Sequence, residues 1–375
     1  MSSAPEICFI FIGGTHQIYH LAPVAAEISR RDAGFSVRCI CADAEAELAL
    51  QGIAEHLAAD RMSITRIAVP WLSRLMIQIT GRKAAGKGPI LAAIRWRARH
   101  SRAIVVPERT SAIIRKMGWR RPLFHFRHGA GDRSPASEAR LGAFDLIVVP
   151  GEKEVQRALE LGIDPSRVRI GGYVKLDYLR IAPPSAEPLF ANNLPTVMYN
   201  PHFDPRISSF GIAREVIKRF QGQDRYNLVF APHVRAVEDL PAAERDSLLS
   251  LAVPGSIIID LGSPSLFDMR YTQAANLYLG DMSSQLYEFL SRPRPVAFIN
   301  AHGVQWQNDP RYAGWHLGEV ADGPDTVIAA IDRAFASHSR KKEAQAKAVQ
   351  FAFGDYQGAI AHAADILLDA LAARR

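Results

Sequence analysis

Short apolar runs alternate along the chain with longer stretches in which apolar positions recur every three or four residues. The short runs predict β-strands, because an apolar run of about four to eight residues beside turn-forming residues is typical of a buried strand. The longer stretches predict helices, as in 23–31, where Val24 and Ile28 share one apolar stripe. Strands separated by helices form right-handed β-α-β units, so the pattern predicts an α/β fold with parallel sheets. The predicted strands are 7–12, 35–41, 123–127, 146–149, 167–170, 196–199, 228–231, 257–259, 277–279 and 296–300.

A cluster of turn-forming residues divides this pattern in two. Residues 181–195 contain four prolines and two adjacent asparagines, and a new α/β pattern begins after them. A length of 375 residues also favours two domains. We therefore predict a Rossmann-like N-terminal domain at 1–185, a Rossmann-like C-terminal domain at 186–350 and a C-terminal helix at 351–375. We expect the two parallel sheets to face each other across a cleft.

The positive charge of the protein is concentrated in one segment. Hydrophobic residues make up 48% and charged residues 22% of the chain, which excludes a disordered or fibrous protein. The formal net charge is +7, but residues 71–121 contain thirteen Lys or Arg and one acid, Glu108, so this segment carries +12 and the remainder −5. Such a distribution predicts a local docking surface rather than a generally cationic protein.

The basic segment also has apolar residues at helical spacing. Arg95, Trp96, Arg97 and Arg99 form its most mixed part, and a preceding helical pattern carries Leu72, Leu75, Met76 and Ile79. Basic faces with Trp and Leu bind anionic membrane surfaces, which predicts peripheral membrane docking. The alternative is a solvated helix face. Nucleic-acid binding is not expected, because no recognised nucleic-acid module accompanies the charge.

Cysteine usage and the N-terminus predict the compartment. Cys8, Cys39 and Cys41 lie in apolar runs, which favours buried reduced thiols over disulfides. The first residues lack the basic start and apolar core of a signal peptide, and no apolar run reaches the roughly 18 residues of a spanning helix. We expect a cytoplasmic protein, peripheral to the inner face of the membrane. No metal-ligand spacing of Cys and His is found, so no metal site and no required cofactor are predicted.

Two strand–turn elements in the first half carry candidate chemistry. The predicted strand at 123–127 delivers His128 to its carboxyl end, where open α/β sheets place their ligands. A histidine there can act as a general base, whereas the alternative is a histidine that bonds its own turn. The turn that contains Gly14 and His16 follows the first strand and can shape the acceptor side, or it can be structural. A later Gly171-Gly172 pair, with Asp177 five residues on, favours a hinge.

Two further elements predict the binding of a phosphate-containing donor. In the first, Asp281, Ser283 and Ser284 follow a strand and precede a helix predicted to begin around Ser283, and free N–H groups with serine hydroxyls suit a phosphate. Glu288 is four residues beyond Ser284 and could reach a ribose diol; a simple helix cap with a solvated Glu288 is the alternative. In the second, a strand ends in His233 with Arg235 two residues on, a clamp for a pyrophosphate group. His202 ends another strand and is predicted on the acceptor side, with the lining of a domain interface as the alternative.

In this order these elements resemble the CDP-glycerol glycerophosphotransferase family, whose members build teichoic-type polymers on GT-B folds. The corresponding residues are His128-Gly129, Tyr199-Asn200-Pro201, His233 and Asp281-Met282-Ser283-Ser284. The resemblance implies a GT-B-like protein whose first domain binds the acceptor and whose second domain binds a nucleotide-activated donor, CDP-glycerol. It implies that His128 deprotonates an acceptor hydroxyl, which attacks the phosphorus that bears glycerol. His233, with Arg235, would stabilise the departing CMP, and Ser283 and Ser284 would hold donor phosphates.

The sequence departs from this family beside the expected acceptor. After His-Gly the family tends to continue Thr-Pro-Leu-Lys, where this chain has Ala130-Gly131-Asp132-Arg133, and Pro-Thr-Trp is replaced by Pro201-His202-Phe203. The departures leave the transferred group open, and the acceptor is a membrane lipid, polyol or saccharide hydroxyl. Residues 128–177 also resemble UDP-N-acetylglucosamine 2-epimerases, in which His-x-His-Gly-Gly-Glu and a later Gly-Gly-x-x-x-Asp recur. A UDP-sugar epimerase or hydrolase, a lipid kinase that uses a nucleoside triphosphate, and a non-catalytic nucleotide- or lipid-binding subunit are therefore the alternative functions.

Overall fold

The computed structural model describes residues 4–80, 86–132 and 136–374. The described residues form two compact units, and neither unit is one continuous stretch of chain. The first unit takes the described residues of Met1–His128, Ser134–Pro183 and Phe351–Arg375; the second takes those of Gly129–Arg133 and Pro184–Gln350. The sequence predicted the passage from one unit to the next at 185/186, and in the structure it lies at 183/184.

The first unit is built on a parallel sheet of seven strands in the order β3-β2-β1-β4-β5-β6-β7. Its central strands are almost wholly apolar, as expected for a parallel sheet covered on both faces. Successive strands are added on one side of β1 up to β3 and on its other side from β4 onwards. This change of direction falls between β1 and β4, which are hydrogen-bonded neighbours. The strands are β1 (Glu6–Phe11), β2 (Ser36–Cys41), β3 (Met62–Arg66), β4 (Ala103–Val106), β5 (Leu123–Phe126), β6 (Leu146–Val149) and β7 (Val168–Ile170).

The second unit repeats this plan with six parallel strands in the order β10-β9-β8-β11-β12-β13. Here the change of direction falls between β8 and β11, which pair from Leu277 with Val197 to Gly280 with Asn200. Both sheets thus have the doubly wound arrangement in which ligands bind at the carboxyl ends of the strands that flank the change of direction. The strands are β8 (Thr196–Asn200), β9 (Asn227–Phe230), β10 (Ile257–Ile259), β11 (Leu277–Gly280), β12 (Val296–Ile299) and β13 (Glu319–Ala321).

Helices cover the faces of each sheet and short 3-10 segments open several of the loops. In the first unit the helices are α1 (Ala22–Arg30), α2 (Ala44–His56), α3 (Trp71–Thr80), α4 (Lys87–Arg97), α5 (Ile113–Lys116), α6 (Glu152–Glu160) and α7 (Val174–Ile181). The later helices are α8 (Ala213–Gln221), α9 (Val234–Val237), α10 (Ala242–Leu249), α11 (Arg270–Ala274), α12 (Gln285–Phe289), α13 (Val327–Phe353) and α14 (Ala359–Ala372).

The ten predicted strands correspond to observed strands, and three observed strands were not predicted. One of these, β4, lies inside the basic segment 71–121, beside β1 at the centre of the first sheet. The sequence predicted a docking surface in 71–121, and within that segment β4 contributes to the core of the sheet. Ala103–Val106 is fully buried and the Trp119 side chain is nearly so, whereas α3, α4 and residues such as Arg99, Arg120 and Arg121 face solvent.

The C-terminal helix α14 completes the first unit by packing on the Gly171-Gly172 turn. Gly172 has a φ of 80°, and a Cβ added to it would lie 2.7 Å from the Cβ of Ala359. The Asp177 carboxylate accepts hydrogen bonds from the backbone N–H groups of Gly358 and Ile360, each at 3.0 Å. The turn for which the sequence favoured a hinge therefore holds the start of α14.

Replacing Asp177 by alanine is expected to lower the free energy of unfolding by about 1–3 kcal/mol, because the N–H of buried Ile360 loses its acceptor. Chemical denaturation followed by circular dichroism measures this. Asp369, exposed near the end of α14, is the matched control. Asp369→Ala should change the free energy of unfolding by less than about 0.5 kcal/mol. Equal effects of the two variants would contradict the capping function of Asp177.

Candidate active site

Three neighbouring strand ends in the first sheet meet around His128. The chain leaves β1 into a 3-10 segment, Thr15–His20, and leaves β4 at Pro107, while β5 ends two residues before His128. β1, β4 and β5 are consecutive in the sheet. Gln17, Pro107 and His128 are therefore brought together at the carboxyl edge of the sheet, beside its change of direction, where the topology favours a ligand site.

Two hydrogen bonds define the protonation state of His128. Its Nδ1 lies 2.6 Å from the carbonyl oxygen of Pro107, and because a carbonyl only accepts, Nδ1 carries the proton. Its Nε2 lies 3.2 Å from the side-chain nitrogen of Gln17, which can donate to a lone pair there. The neutral ring thus presents its lone pair at Nε2, the state that a general base requires.

The surroundings of His128 keep its ring neutral. Desolvation by burial lowers the pKa of His128 to about 4, the Pro107 carbonyl opposes this, and the positive charges of Arg109, Arg127 and Lys87 lower the pKa further. The ordinary value for histidine is near 6.5. His128 is consequently able to accept a proton at neutral pH.

Two other histidines complete a cluster in the first unit, and His16 had been predicted from the sequence. The ring centroids of His16 and His20 each lie 6.0 Å from that of His128. Burial lowers the pKa of His20 well below its usual value, and the charge of Lys175 acts in the same direction. Gly14, also predicted here, has a φ of 108° and is exposed at the start of the 3-10 segment, so a side chain at this position would be strained. We name His16, His20 and His128 the histidine cluster.

Buried ion pairs fix the strand end that carries His128. Arg127 bonds Glu138 at 2.5 Å and also pairs with Glu154, and both carboxylates are almost inaccessible to solvent. Arg109, which follows β4, donates to the same Glu138 at 3.2 Å. Breaking a buried pair of this kind leaves an unpaired charge, so the network restrains both strand ends in one geometry.

In the second sheet Asp281 links the two strand ends at the change of direction. It follows β11, and its Oδ2 accepts the backbone N–H groups of His202 at 2.8 Å and Ser209 at 2.9 Å, in the loop after β8. Burial raises the pKa of Asp281 to about 6, and these two N–H groups act to lower it. Asp281 was predicted to contact donor phosphates; its side chain is 0% exposed, and it holds the loop in place instead.

Two histidines of the second unit carry their protons on the opposite nitrogen from His128. The Nδ1 of His202 accepts the backbone N–H of Asp204 at 3.0 Å, and the Nδ1 of His233 accepts that of Arg235 at 3.2 Å. A backbone N–H only donates, so each neutral ring is protonated at Nε2. His202 and His233 are thus hydrogen-bond donors through Nε2, which suits contact with phosphate oxygens or a departing anion.

An aromatic ring that the sequence had not marked organises this loop cluster. The guanidinium carbon of Arg235 lies 3.9 Å from the centre of the Phe203 ring, and the His233 ring centre lies 4.8 Å from it. His202 and His233 are 5.9 Å apart, ring centre to ring centre. A cation over an aromatic face is stabilised by the ring quadrupole, which orders the exposed Arg235 side chain. We name His202, Phe203, His233 and Arg235 the second-unit cluster.

The predicted phosphate-binding helix is shorter and begins later than expected. α12 starts at Gln285, not Ser283, and has five residues, so its dipole is weak. Ser283 caps the N–H of Gln285 at 3.2 Å and is nearly buried, whereas Ser284 is half-buried. Glu288, predicted to reach a ribose, is buried at 4% exposure. Of this element, Ser284 is the residue best placed to contact a ligand.

The segment after His128 belongs to the second unit. The Asp132 carboxylate accepts the hydroxyl of Tyr287 at 2.6 Å and the backbone N–H of Gly314 at 3.0 Å. Gly129 has a φ of 75°, and a Cβ added to it would lie 3.0 Å from Oγ of Ser284. Asp132, predicted on the acceptor side, therefore anchors this segment next to Ser284. Arg133, predicted with it, lies outside the described residues.

The basic helices α3 and α4 each expose large apolar side chains, although Leu91 and Ile94 of α4 are buried. Trp71, Ile79 and Trp96 have exposed fractions of 74%, 72% and 62%, whereas Ser73 is buried. A Cβ on Gly86 would lie 2.6 Å from Cδ1 of Ile77, so the chain just before α4 packs closely on α3. Arg95, Arg97 and Arg99 are exposed as predicted, with the Arg99 guanidinium 4.4 Å from the centre of the Trp96 ring.

No helix in residues 4–80, 86–132 or 136–374 is long and apolar enough to cross a bilayer. The same residues contain no group of three or more His, Cys, Asp or Glu side chains in position to hold a metal ion.

Solved structures of known proteins share the fold of this chain. A UDP-GlcNAc 2-epimerase from Neisseria meningitidis, bound to UDP-GlcNAc, superposes with a TM-score of 0.66 at 14% identity, over 98% of this chain and 100% of the epimerase. The wall teichoic acid polymerase TagF gives 0.61 at 11% identity, over 100% of this chain and 90% of TagF. The glycotransferase of kitacinnamycin gives 0.63 at 12% identity, over 98% and 99%. No protein-family model and no curated protein matches the sequence.

These likenesses confirm the predicted fold class. The chain is an α/β protein with two parallel sheets and a GT-B-type fold. Both families that the sequence resembles, the teichoic acid polymerases and the UDP-GlcNAc 2-epimerases, are among these neighbours. At 11–14% identity the likeness establishes the fold alone, and three different enzymes share it, so the reaction has to be inferred from the residues of the site.

Proposed function

We propose that the protein transfers a phosphoglycerol or related phosphoryl group from a nucleotide-activated donor, CDP-glycerol, to a hydroxyl of a lipid, polyol or saccharide acceptor. We assign the role of the base to His128 and the binding of the donor to His233, Arg235 and Ser284. The observation that supports this most directly is the opposite protonation of two histidines that follow strand ends. His128 offers a lone pair at Nε2, and His233 offers an N–H at Nε2.

The reaction follows from these two states. The Nε2 lone pair of His128 takes the proton of the acceptor hydroxyl as its oxygen forms a bond to the phosphorus that bears glycerol. The bond from that phosphorus to the bridging oxygen of CMP breaks, and CMP leaves with the electron pair. His233 and Arg235 stabilise the negative charge that develops on CMP, and Ser284 donates to a phosphate oxygen. We propose that these N–H groups and cations supply the electrostatic stabilisation without a required cofactor.

TagF supports the choice of donor. One solved structure of this wall teichoic acid polymerase is a variant with a histidine replaced by asparagine, soaked with CDPG, and it matches this chain with a TM-score of 0.60. A polymer-building transferase on this fold needs a base for a hydroxyl and cations for a nucleotide phosphate. We assign the first role to the histidine cluster and the second to the second-unit cluster.

The direct test is incubation of the purified protein with CDP-glycerol and a panel of acceptors, with CMP measured by chromatography. Acceptor-dependent CMP release supports the proposal. Release of UDP from UDP-sugars or of ADP from ATP, with no CMP, would contradict it and favour a hydrolase or a kinase. Saturable nucleotide binding without turnover of any donor would favour a non-catalytic subunit.

A UDP-sugar 2-epimerase is the second candidate, because a UDP-GlcNAc 2-epimerase superposes over all of its length. Asp132 is the carboxylate nearest in sequence to the His-Gly element, and it is engaged by Tyr287 and Gly314. This engagement favours an anchoring role over proton transfer at a sugar carbon. Solvent deuterium incorporated at a sugar carbon of UDP-GlcNAc, without an acceptor, would establish epimerase chemistry.

We further propose that α3 and α4 dock on an anionic membrane and bring the first unit to a lipid acceptor. Exposed Trp71, Ile79 and Trp96 leave large apolar areas in water beside the arginines of α4, and burial of apolar surface is worth about 25 cal/mol per Å². Each arginine near an anionic surface adds about 1 kcal/mol. The combination fits a membrane interface better than a solvated face.

Replacing Trp71, Ile79 and Trp96 together by serine is expected to weaken binding at least tenfold to vesicles that contain about one third anionic lipid. Co-sedimentation measures the bound fraction. Leu48, exposed at 68% in α2 of the same unit, is the matched control, and Leu48→Ser should bind like the unchanged protein. Equal binding to neutral and anionic vesicles would reject the docking surface.

A further inference from the structure

Gln17 lies against His128 in a position that leaves its own amide oxygen unsatisfied. Its side-chain nitrogen is 3.2 Å from Nε2 of His128, and its Oε1 is buried with no hydrogen-bond partner among the described residues. The amide lies directly over Gly13, where an added Cβ would be 1.9 Å from Oε1. Because Gly13 has no side chain, this amide can approach the proposed base, and its buried oxygen is then left without a hydrogen bond.

We propose that Gln17 is a positioning residue that controls the protonation state of His128, an inference that rests on the proposed function of His128 as the base. In the resting state the amide N–H donates to the Nε2 lone pair and holds the ring at the angle set by Pro107. After proton transfer the amide turns by 180° about its last bond, so that Oε1 accepts the new Nε2–H. The same side chain then stabilises both states of the ring.

The proton and electron balance of this step is complete. The acceptor hydroxyl displaces the Gln17 N–H from Nε2, and its proton moves to Nε2 as the oxygen bonds to phosphorus. The imidazolium then has one N–H on the Pro107 carbonyl and one on Oε1 of Gln17, so neither donor is left unsatisfied. The orphaned oxygen of the resting state is the acceptor that the charged state needs.

The other groups around His128 make such an acceptor necessary. The positive charges of Arg109, Arg127 and Lys87 act on the ring and disfavour the imidazolium. The rings of His16 and His20 lie 6.0 Å away, His125 on β5 precedes His128, and the carboxylate of Glu108, next to Pro107, is paired with Lys87. Among the described residues the ring hydrogen-bonds Pro107 through Nδ1 and Gln17 through Nε2, so Gln17 is in position to supply the acceptor at Nε2.

The decisive measurement is the pKa of His128 by NMR titration of its imidazole nitrogens, which requires no enzymatic activity. In Gln17→Glu a carboxylate replaces the amide beside Nε2 and should raise the pKa of His128 by one to three pH units relative to the unchanged protein. Exposed Gln51 on α2 is the matched control, and Gln51→Glu should leave the pKa within about 0.3 unit. A shift of less than 0.5 unit in folded Gln17→Glu would overturn the proposal.

Kinetic measurements on Gln17 variants distinguish a residue that positions His128 from one that only packs. Gln17→Leu keeps the volume but removes both polar atoms, and we expect kcat to fall about 10–100-fold with KM within threefold. Gln17→Glu should move the acid limb of the kcat/KM profile upward by the same shift that NMR records. A fall in melting temperature with an unmoved acid limb would mean that Gln17 only packs. If the NMR shift is found and no donor is turned over, the contact stands and the proposed function fails.

Discussion

Alanine at position 128 is expected to lower kcat/KM for acceptor-dependent CMP release by about 10²–10⁴, because general-base catalysis contributes a factor of this size. His128 is the residue whose Nε2 lone pair is held by Gln17 and whose Nδ1 proton is held by Pro107. Its replacement removes the proton acceptor without removing any group of the second-unit cluster. The rate of CMP formation at saturating acceptor is the measurement.

The control for this variant is His100→Gln, since His100 is exposed in the same unit and should not affect the rate. The unchanged enzyme should also lose activity only as the pH falls towards 4, because His128 has a pKa of about 4 and must be neutral to act as the base. An acid limb near the ordinary histidine value of about 6.5 would contradict this state of the ring. A His128→Ala variant that keeps more than a tenth of the original activity would contradict the role of His128 as the base.

Alanine at position 233 is expected to lower kcat by about 10²–10³, since removal of one donor that stabilises transition-state charge costs that much. His233 presents its Nε2–H because its Nδ1 accepts the N–H of Arg235. Arg235→Ala should give a smaller loss and a larger rise in KM for the donor, because the guanidinium binds phosphate in the ground state as well. Initial rates with varied CDP-glycerol separate the two effects.

Arg225→Ala is the matched control for the second-unit variants. Arg225 precedes β9, at the opposite end of the strand from His233, and its partner is Asp332 at 2.8 Å. We expect kinetics like those of the unchanged protein. A His233→Ala variant that loses less than threefold in kcat would remove His233 from the reaction and leave only a packing role against Phe203.

The carboxyl ends of the strands were the most predictable part of the candidate site. Apolar runs of four or five residues are conspicuous in sequence, and polar residues just after them lie at the edge where doubly wound sheets bind ligands. His128, His202 and His233 were found in this way. β3 was not predicted, because Ser63, Thr65 and Arg66 interrupt its apolar character in an edge strand of the sheet.

The pairing of site residues could not be predicted, because it depends on strand order. Gln17 and His128 are 111 residues apart and meet only because β1, β4 and β5 are neighbours. The buried position of Asp281 likewise depends on the β8–β11 pairing, which brings its carboxylate to the N–H groups of His202 and Ser209. A sequence shows that an Asp follows a strand, but not whether it faces a ligand or a neighbouring loop. The sequence feature that points to Gln17 is the Gly13-Gly14 pair, because the missing side chain of Gly13 leaves room for the Gln17 amide.

The discontinuity of the first unit has a consequence for biosynthesis. Its core includes α14, whose Leu367 is fully buried, and α14 is made only after the entire second unit has been synthesised. A ribosome-bound chain can therefore finish folding residues 184–350 before α14 is available to contact Gly172 and Asp177. Domains fold as units during translation, at about 5–20 residues per second, so this interval lasts on the order of ten seconds or more. During it the apolar surface that α14 covers in the finished protein stays open to solvent.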